Sequence, residues 1–299
     1  VINQNSLNSI AAHRQDAHFI KPAYDSYCFA ALPQLVRHLL TGKGELGFPP
    51  DVLSGLPANY DKVVLLYIDA FGWRFFERYG DRYPFLKRFV EQGVASKMTS
   101  QFPSTTAAHL TTIHLGQPVG KYGIYEWFYY EPLLERMISP LIFSYAGDTE
   151  PGTIQLPPGI NIGSAFGFQT LYEQLAQHGV NSYVFQNVAY TNGGFADLAL
   201  RGAEIRGFRT MSEGLLNLAE AVVAEQGKAY FYYYYDPIDS AGHKYGPSTP
   251  YFDAEVDAWF SAAEKLLHNT LSGKAGKTLL LLTADHGQDD IDPTKTIHI

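Results

Sequence analysis

From Asp61 onward the chain alternates between short β-rich runs and stretches of helical periodicity. Four runs, Val63–Ile68, Ser182–Phe185, Tyr230–Tyr235 and Thr278–Thr283, are almost continuously apolar or aromatic. Such runs fit parallel strands covered on both faces, because a strand with one wet face would alternate. Helical periodicity predicts helices at about Phe85–Gln92, Thr105–Leu115, Phe168–His178, Ser212–Glu225 and Pro250–Leu271. In the last, Val256, Trp259, Phe260, Ala263, Leu266 and Leu267 share a face, with Thr249 as N-cap and Pro250 in the first turn. Strands alternating with helices predict an α/β fold around a mostly parallel sheet.

Residues 1–59 read as an N-terminal extension packed on a main domain of residues 60–299. The extension holds one amphipathic segment, Leu32–Leu40, and is then broken by Pro49, Pro50 and Pro57. Gly42, Gly44 and Gly47 spell G-x-G-x-x-G, but they follow a helix and lead into prolines. A dinucleotide fingerprint needs a strand before and a helix after, so this one is set aside. Residues 124–165 are rich in Tyr, Phe, Pro and Gly and read as a cap-like insertion over one sheet edge.

The 299 residues are 46% hydrophobic, enough for a large core and too apolar for disorder. A formal net charge of −8 argues against a protein that tracks a nucleic-acid polymer. It leaves room for a small phosphorylated substrate, because bound cations can supply positive charge locally. Cys28 is the only cysteine, so thiolate metal clusters are excluded and any metal must be held by His, Asp, Glu or hydroxyl groups. No run approaches a membrane span and no signal peptide is visible, which predicts a cytoplasmic protein without a membrane partner. The oligomeric state is not legible.

In open α/β sheets, ligands bind beyond the carboxyl ends of the strands. The first strand ends in Asp69, the aromatic strand runs into Asp236-Pro237-Ile238-Asp239-Ser240-Ala241-Gly242-His243, and the last ends in Ala284-Asp285-His286-Gly287. One strand-end carboxylate would be explained by capping; three, two of them accompanied by His, are not. Asp239 and His243 are four residues apart, so on a helical turn they share a face and can ligate one metal. Oxygen and imidazole donors suit Zn²⁺, Mn²⁺ or Fe in a catalytic site. A hydroxyl comes from Phe102-Pro103-Ser104-Thr105-Thr106, ahead of a helix closed by Gly116. A helix N-terminus offers free N–H groups and the positive dipole end to a phosphate. Capping by Ser104 or Thr105 is compatible with that role.

These residues resemble the alkaline phosphatase superfamily, in particular its type I phosphodiesterase/nucleotide pyrophosphatase family. The resemblance covers about Asp61–Ile299 and is carried by Val63–Gly72, Phe102–Gly123, Asp239–Pro247 and Thr283–Gly287, in the family's order. It implies a three-layer sandwich around the sheet and a hydrolase of phosphate ester, diester or pyrophosphate bonds. It further implies two divalent metal ions, most often zinc, and a phosphothreonine intermediate. Asp69, Asp285, His286 and the nucleophile hydroxyl would hold one ion; Asp239 and His243, with a further His, would hold the other. The family's nucleophile lies ten residues before the Gly that closes its helix, and counting back from Gly116 selects Thr106, with Thr105 next to it. The phosphodiesterase branch usually places its Thr directly before Phe-Pro and an Asn after it. Here Gln101 and Ser104 stand at those positions, which leaves a nucleotide substrate open. A phosphomonoesterase, a phosphonate hydrolase and a catalytically silent metal-binding domain are the alternatives.

Other candidates are secondary. His109, three residues after Thr106, reads as a packed residue or a substrate contact; His114 lies on the same helix. Lys244 and Tyr245 border His243, and Asp289, Asp290 and Asp292 form an acidic loop. Relatives continue with more strands and one more metal-binding His well after the Asp-His pair. The chain is therefore expected to be part of a longer protein, with one metal position short of a ligand or filled by His298.

Overall fold

The computed structural model describes residues 1–16, 19–155, 169–291 and 294. Its centre is a parallel sheet of β1 (Lys62–Ile68), β5 (Asn181–Asn187), β6 (Glu204–Phe208), β7 (Ala229–Tyr235) and β8 (Thr278–Thr283), in the order β6-β5-β7-β1-β8. A separate antiparallel sheet of β2 (Tyr129–Glu131), β3 (Arg136–Ser139) and β4 (Ser144–Tyr145) lies within the predicted insertion.

Alternate side chains of the central strands feed two cores. Val64, Leu66 and Ile68 of β1 join Phe231, Tyr233 and Tyr235 of β7, covered by helices Trp73–Tyr79, Pro84–Glu91, Met211–Ala224 and Pro250–Ala262. Val63, Leu65 and Tyr67 join Tyr230, Tyr232 and Tyr234 on the opposite face, covered by helices Leu32–Thr41 and Leu171–Ala176 and by Ile113 of helix Thr106–Leu115. All seven residues of β1 and of β7 are buried, the physical counterpart of their unbroken apolar pattern. Each large side chain so buried contributes roughly 1.5–3 kcal/mol relative to exposure. The result is the expected three-layer sandwich.

The edges differ from the sequence reading. Strand β6, with Glu204, Arg206 and Gly207, lacks an apolar run and was invisible to that criterion; charges and glycine suit an edge strand. Helix Trp73–Tyr79 and helix Pro237–Tyr245 are also additions, both starting within a few residues of a strand end. The predicted helix Pro250–Leu271 is α-helical to Ala262, passes through a π-helical turn at Ala263–His268 and ends at Leu271. Gly42, Gly44 and Gly47 all have positive φ and build a turn after a helix.

Strand β8 lies at the other edge, and among the described residues no strand pairs with its outer side. A cavity of about 450 Å³ runs along it between Leu279–Leu282 and Ser96–Thr99, reaching Ser104 and His286 at one end. No helix among the described residues is long and apolar enough to cross a membrane.

Candidate active site

Register places the chemistry. Ile68 pairs with Tyr235 and Tyr67 with Thr283, so the residues that follow these strands emerge at one edge of the sheet. Gly72 tightens the arrangement: a Cβ there would lie 2.8 Å from the His286 carbonyl oxygen and 2.9 Å from Gly287. The β1 and β8 loops touch because position 72 carries no side chain. Ala70 has φ +59, a left-handed conformation that costs a non-glycine residue roughly 1–2 kcal/mol. Its N–H donates to Asp285 Oδ1 at 3.1 Å.

Asp69, Asp285 and His286 each offer one ligand atom, and these atoms lie within 4.8 Å of one another, a group that can hold a metal ion. His286 Nε2 is 3.7 Å from Asp69 Oδ1 and 3.4 Å from Asp285 Oδ2. Its Nδ1 is 3.1 Å from the Gly287 carbonyl, which only accepts, so the neutral ring carries its proton on Nδ1 and its lone pair on Nε2. One oxygen of each carboxylate is occupied. Tyr234 Oη donates to Asp69 Oδ2 at 2.5 Å, and the N–H groups of Ala70 and His286 donate to Asp285 Oδ1. The other two, Asp69 Oδ1 and Asp285 Oδ2, are buried without a partner. Burying unpaired carboxylate oxygens is costly unless a cation faces them. Burial pushes the Asp69 carboxyl well above the usual range, and the Asp285 and Asp239 charges push it further. Burial acts upward on Asp285 as well, but His286, His109 and the Ala70 N–H outweigh it and hold this carboxyl low.

Thr106 is the first residue of helix Thr106–Leu115, and its Oγ1 lies 3.1 Å from His286 Nε2. Thr105 is the N-cap: its Oγ1 accepts from Ala108 N at 3.3 Å and donates to the Tyr125 carbonyl at 2.9 Å. Of the two threonines, therefore, Thr106 meets the Asp-His group and Thr105 ties the helix to the insertion.

Asp239 and His243 share a face of helix Pro237–Tyr245, with Asp239 Oδ1 3.4 Å from His243 Nε2. Gln288 Nε2 donates to Asp239 Oδ1 at 2.6 Å and to its carbonyl at 3.0 Å. The Gln288 side chain runs over Gly242, where a Cβ would lie 1.5 Å from Oε1. Burial raises the Asp239 carboxyl against the pull of His243 and His286. No third ligand joins this pair into a metal-holding group among the described residues. His298 and Asp292 lie outside the described residues.

The secondary candidates fall elsewhere. His109 is buried, with Nδ1 on the Thr105 carbonyl at 2.7 Å and Nε2 accepting from Gln101 N at 3.0 Å. It braces the loop before the helix. His114 is buried against Tyr172 Oη at 2.7 Å, and burial pulls its pKa down to about 3. Lys244 sits over Tyr245, which stacks on Tyr251. Asp289 pairs with Arg74 at 2.9 Å, and Asp290 accepts from Ser248. Gln101 is buried with its amide fully used: Nε2 donates to the Ala108 carbonyl and Thr112 Oγ1, and Oε1 accepts from Val119 N. Sequence reasoning missed Tyr234 and Gln288. Tyr234 lies one residue before the carboxyl end of β7, on the same face as Tyr67 of β1, and that nearness to the strand end is the one signal that could have found it.

The comparisons with known proteins agree with this architecture. The family model for type I phosphodiesterase / nucleotide pyrophosphatase matches residues 63–299. Among solved structures, murine ectonucleotide pyrophosphatase / phosphodiesterase 5 (ENPP5), inactive and in complex with AMP, aligns with a TM-score of 0.57 at 17% identity, covering 79% of this chain and 59% of its own. The human protein of the same name aligns with a TM-score of 0.51 at 15% identity, covering 78% of this chain and 59% of its own. At these identities the likeness shows the fold, and the chain spans about three-fifths of the length of those structures. No curated protein matches. With a family model that spans residues 63–299, all five strands of the central sheet and the three strand-end motifs, the chain belongs to the type I phosphodiesterase/nucleotide pyrophosphatase family.

Proposed function

We propose that the chain hydrolyses phosphate ester, diester or pyrophosphate bonds of a small phosphorylated substrate, with the Thr106 hydroxyl as nucleophile. The observation that carries this reading is the 3.1 Å approach of Thr106 Oγ1 to His286 Nε2, beside two carboxylate oxygens that have no other partner. Those orphaned atoms fit a cation: Asp69, Asp285, His286 and Thr106 would hold one divalent ion, and Asp239 and His243 a second. Zinc suits this donor set best, with manganese and iron as alternatives. When bound, such ions would lower the pKa of the hydroxyl and offset the charge of the phosphoryl group.

The chain's own residues do the rest. Thr106 Oγ1, its proton passed to solvent, attacks phosphorus in line while the P–O bond to the leaving group breaks opposite and the departing oxygen takes a proton from solvent. Water then cleaves the Thr106–phosphorus ester, regenerating the hydroxyl and releasing phosphate from a monoester or a phosphate monoester from a diester or pyrophosphate. The N–H groups of the first helical turn stand beside the hydroxyl, where equatorial phosphoryl oxygens gather charge. Thr105 and His109 fix the N-terminus of that helix, so the hydroxyl is held rather than searched for. The AMP bound by murine ENPP5 supports a nucleotide among the candidate substrates.

The test is turnover of p-nitrophenyl phosphate and bis-p-nitrophenyl phosphate, which separates monoesterase from diesterase action. Thr106→Ala is expected to abolish both while leaving metal binding mostly intact through Asp69, Asp285 and His286, and Thr105→Ala to keep measurable turnover. Full turnover by Thr106→Ala would overturn the nucleophile assignment.

A further inference from the structure

Strand β7 carries five tyrosines, and their hydroxyls fare very differently. Those of Tyr230, Tyr232 and Tyr233 are buried with no hydrogen-bond partner, while Tyr235 donates to Glu255. Tyr234 alone among them reaches the site, with its Oη 2.5 Å from Asp69 Oδ2. Its ring is wedged edge-on against Tyr67, centroids 5.4 Å apart, and beside Tyr190 at 6.3 Å, so the hydroxyl has little freedom to move.

An aspartate carboxylate turns easily about its last torsion, so rotamer preference does not decide which oxygen it presents. Asp285 is fixed by two backbone donors on Oδ1. The donor that fixes Asp69 is a side chain. With Oδ2 held by Tyr234, Oδ1 faces His286 Nε2 at 3.7 Å, the geometry in which the Asp69–Asp285–His286 group can close on an ion.

We infer that Tyr234 is a positioning residue for the metal site: its hydroxyl holds Asp69 Oδ2 so that Oδ1 is presented to the ion. This rests on the metal-site reading of the proposed function. Outer partners of metal ligands are worth roughly 10–100-fold in metal affinity.

The experiment is zinc affinity, read by competition with a chromophoric chelator, alongside metal-free melting curves. Tyr234→Phe is expected to bind zinc roughly 10–100-fold more weakly. Tyr232→Phe, the same chemical change on a hydroxyl without a partner, is expected to bind as the parent does. In an Asp69→Asn background, Tyr234→Phe is expected to cost nothing further, because the carboxylate it steers is gone. Zinc bound by the parent and by Tyr234→Phe with equal affinity would overturn the positioning role alone. So would a penalty of full size in the Asp69→Asn background, which would mark a packing effect. Loss of the metal-free fold in both Tyr234→Phe and Tyr234→His would assign the hydroxyl to the fold and overturn the inference. If the parent binds no zinc, manganese or iron, the proposed function itself fails and this role with it.

Discussion

Thr106 Oγ1 and His286 Nε2 lie 3.1 Å apart although 180 residues separate them in the chain. The contact joins the N-terminus of a helix on one face of the sheet to the loop after its edge strand. Thr106→Ser keeps the hydroxyl and is expected to retain a fraction of the turnover. Thr106→Ala is expected to lose at least about 10³-fold in kcat/KM, as removal of a nucleophile does in enzymes whose groups act as a unit. Steady-state kinetics on an aryl phosphate ester checks both.

Gly72 sets the spacing between the two loops that carry Asp69 and Asp285. In Gly72→Ala the new Cβ meets backbone at 2.8–2.9 Å, which cannot rotate away, so the loops must separate. A destabilisation of about 1–3 kcal/mol is expected from overpacking. Urea denaturation measures it, and weakened zinc binding should accompany it.

Gln101 stands directly before Phe102-Pro103, where the sequence departs from the Thr usual in the phosphodiesterase branch, and its amide ties Ala108, Thr112 and Val119 together. Gln101→Ala leaves the buried Val119 N–H without its acceptor. A loss of roughly 1–3 kcal/mol is expected, visible as a lower melting temperature. Gln101→Thr is expected to lose stability likewise and to gain no nucleophilic role in a Thr106→Ala background, measured by the same ester assay.

His114 is expected to make the fold acid-sensitive. Burial beside Tyr172 pulls its pKa down to about 3 in the folded state, against about 6.5 for an ordinary imidazole. The unfolded chain therefore binds the proton first. Its contribution is fully present above about pH 6.5 and is lost as pH falls toward 3, at roughly 1.4 kcal/mol per pH unit. His109 is shifted in the same direction by burial. Melting temperature against pH should fall below pH 6 in the parent and more shallowly in His114→Gln.

Metal removal should act on stability as well as activity. Without a cation, Asp69 and Asp285 face each other across unpartnered oxygens. Dialysis against a chelator is expected to abolish turnover and lower the melting temperature, and added zinc to restore both.

Strands whose both faces are buried announced themselves in the sequence, since β1 and β7 carry unbroken apolar or aromatic runs. Their ends located Asp69, Asp239, Asp285 and His286 because a parallel sheet delivers every carboxyl end to one side. What stayed hidden was decided by contacts distant in sequence. Tyr234 looks like its four neighbours until β7 is seated beside β1, and Gln288 acquires meaning only where Gly242 leaves room for it. Strand β6 hid for another reason: an edge position tolerates Glu204 and Arg206, so hydropathy gave no sign of it.

That no strand among the described residues pairs with the outer side of β8 has a consequence for behaviour in solution. From Thr278 to Thr283 that edge carries neither a charged side chain nor a proline, the features that keep exposed strands from recruiting others. Its backbone groups are a ready template for one more strand, whether from further polypeptide or from a second copy. Because β8 leads through Ala284 into Asp285 and His286, a strand added there is expected to steady the loop that holds them. How this edge meets other strands and how the loop bearing Asp285 and His286 is held thus rest on the same six residues.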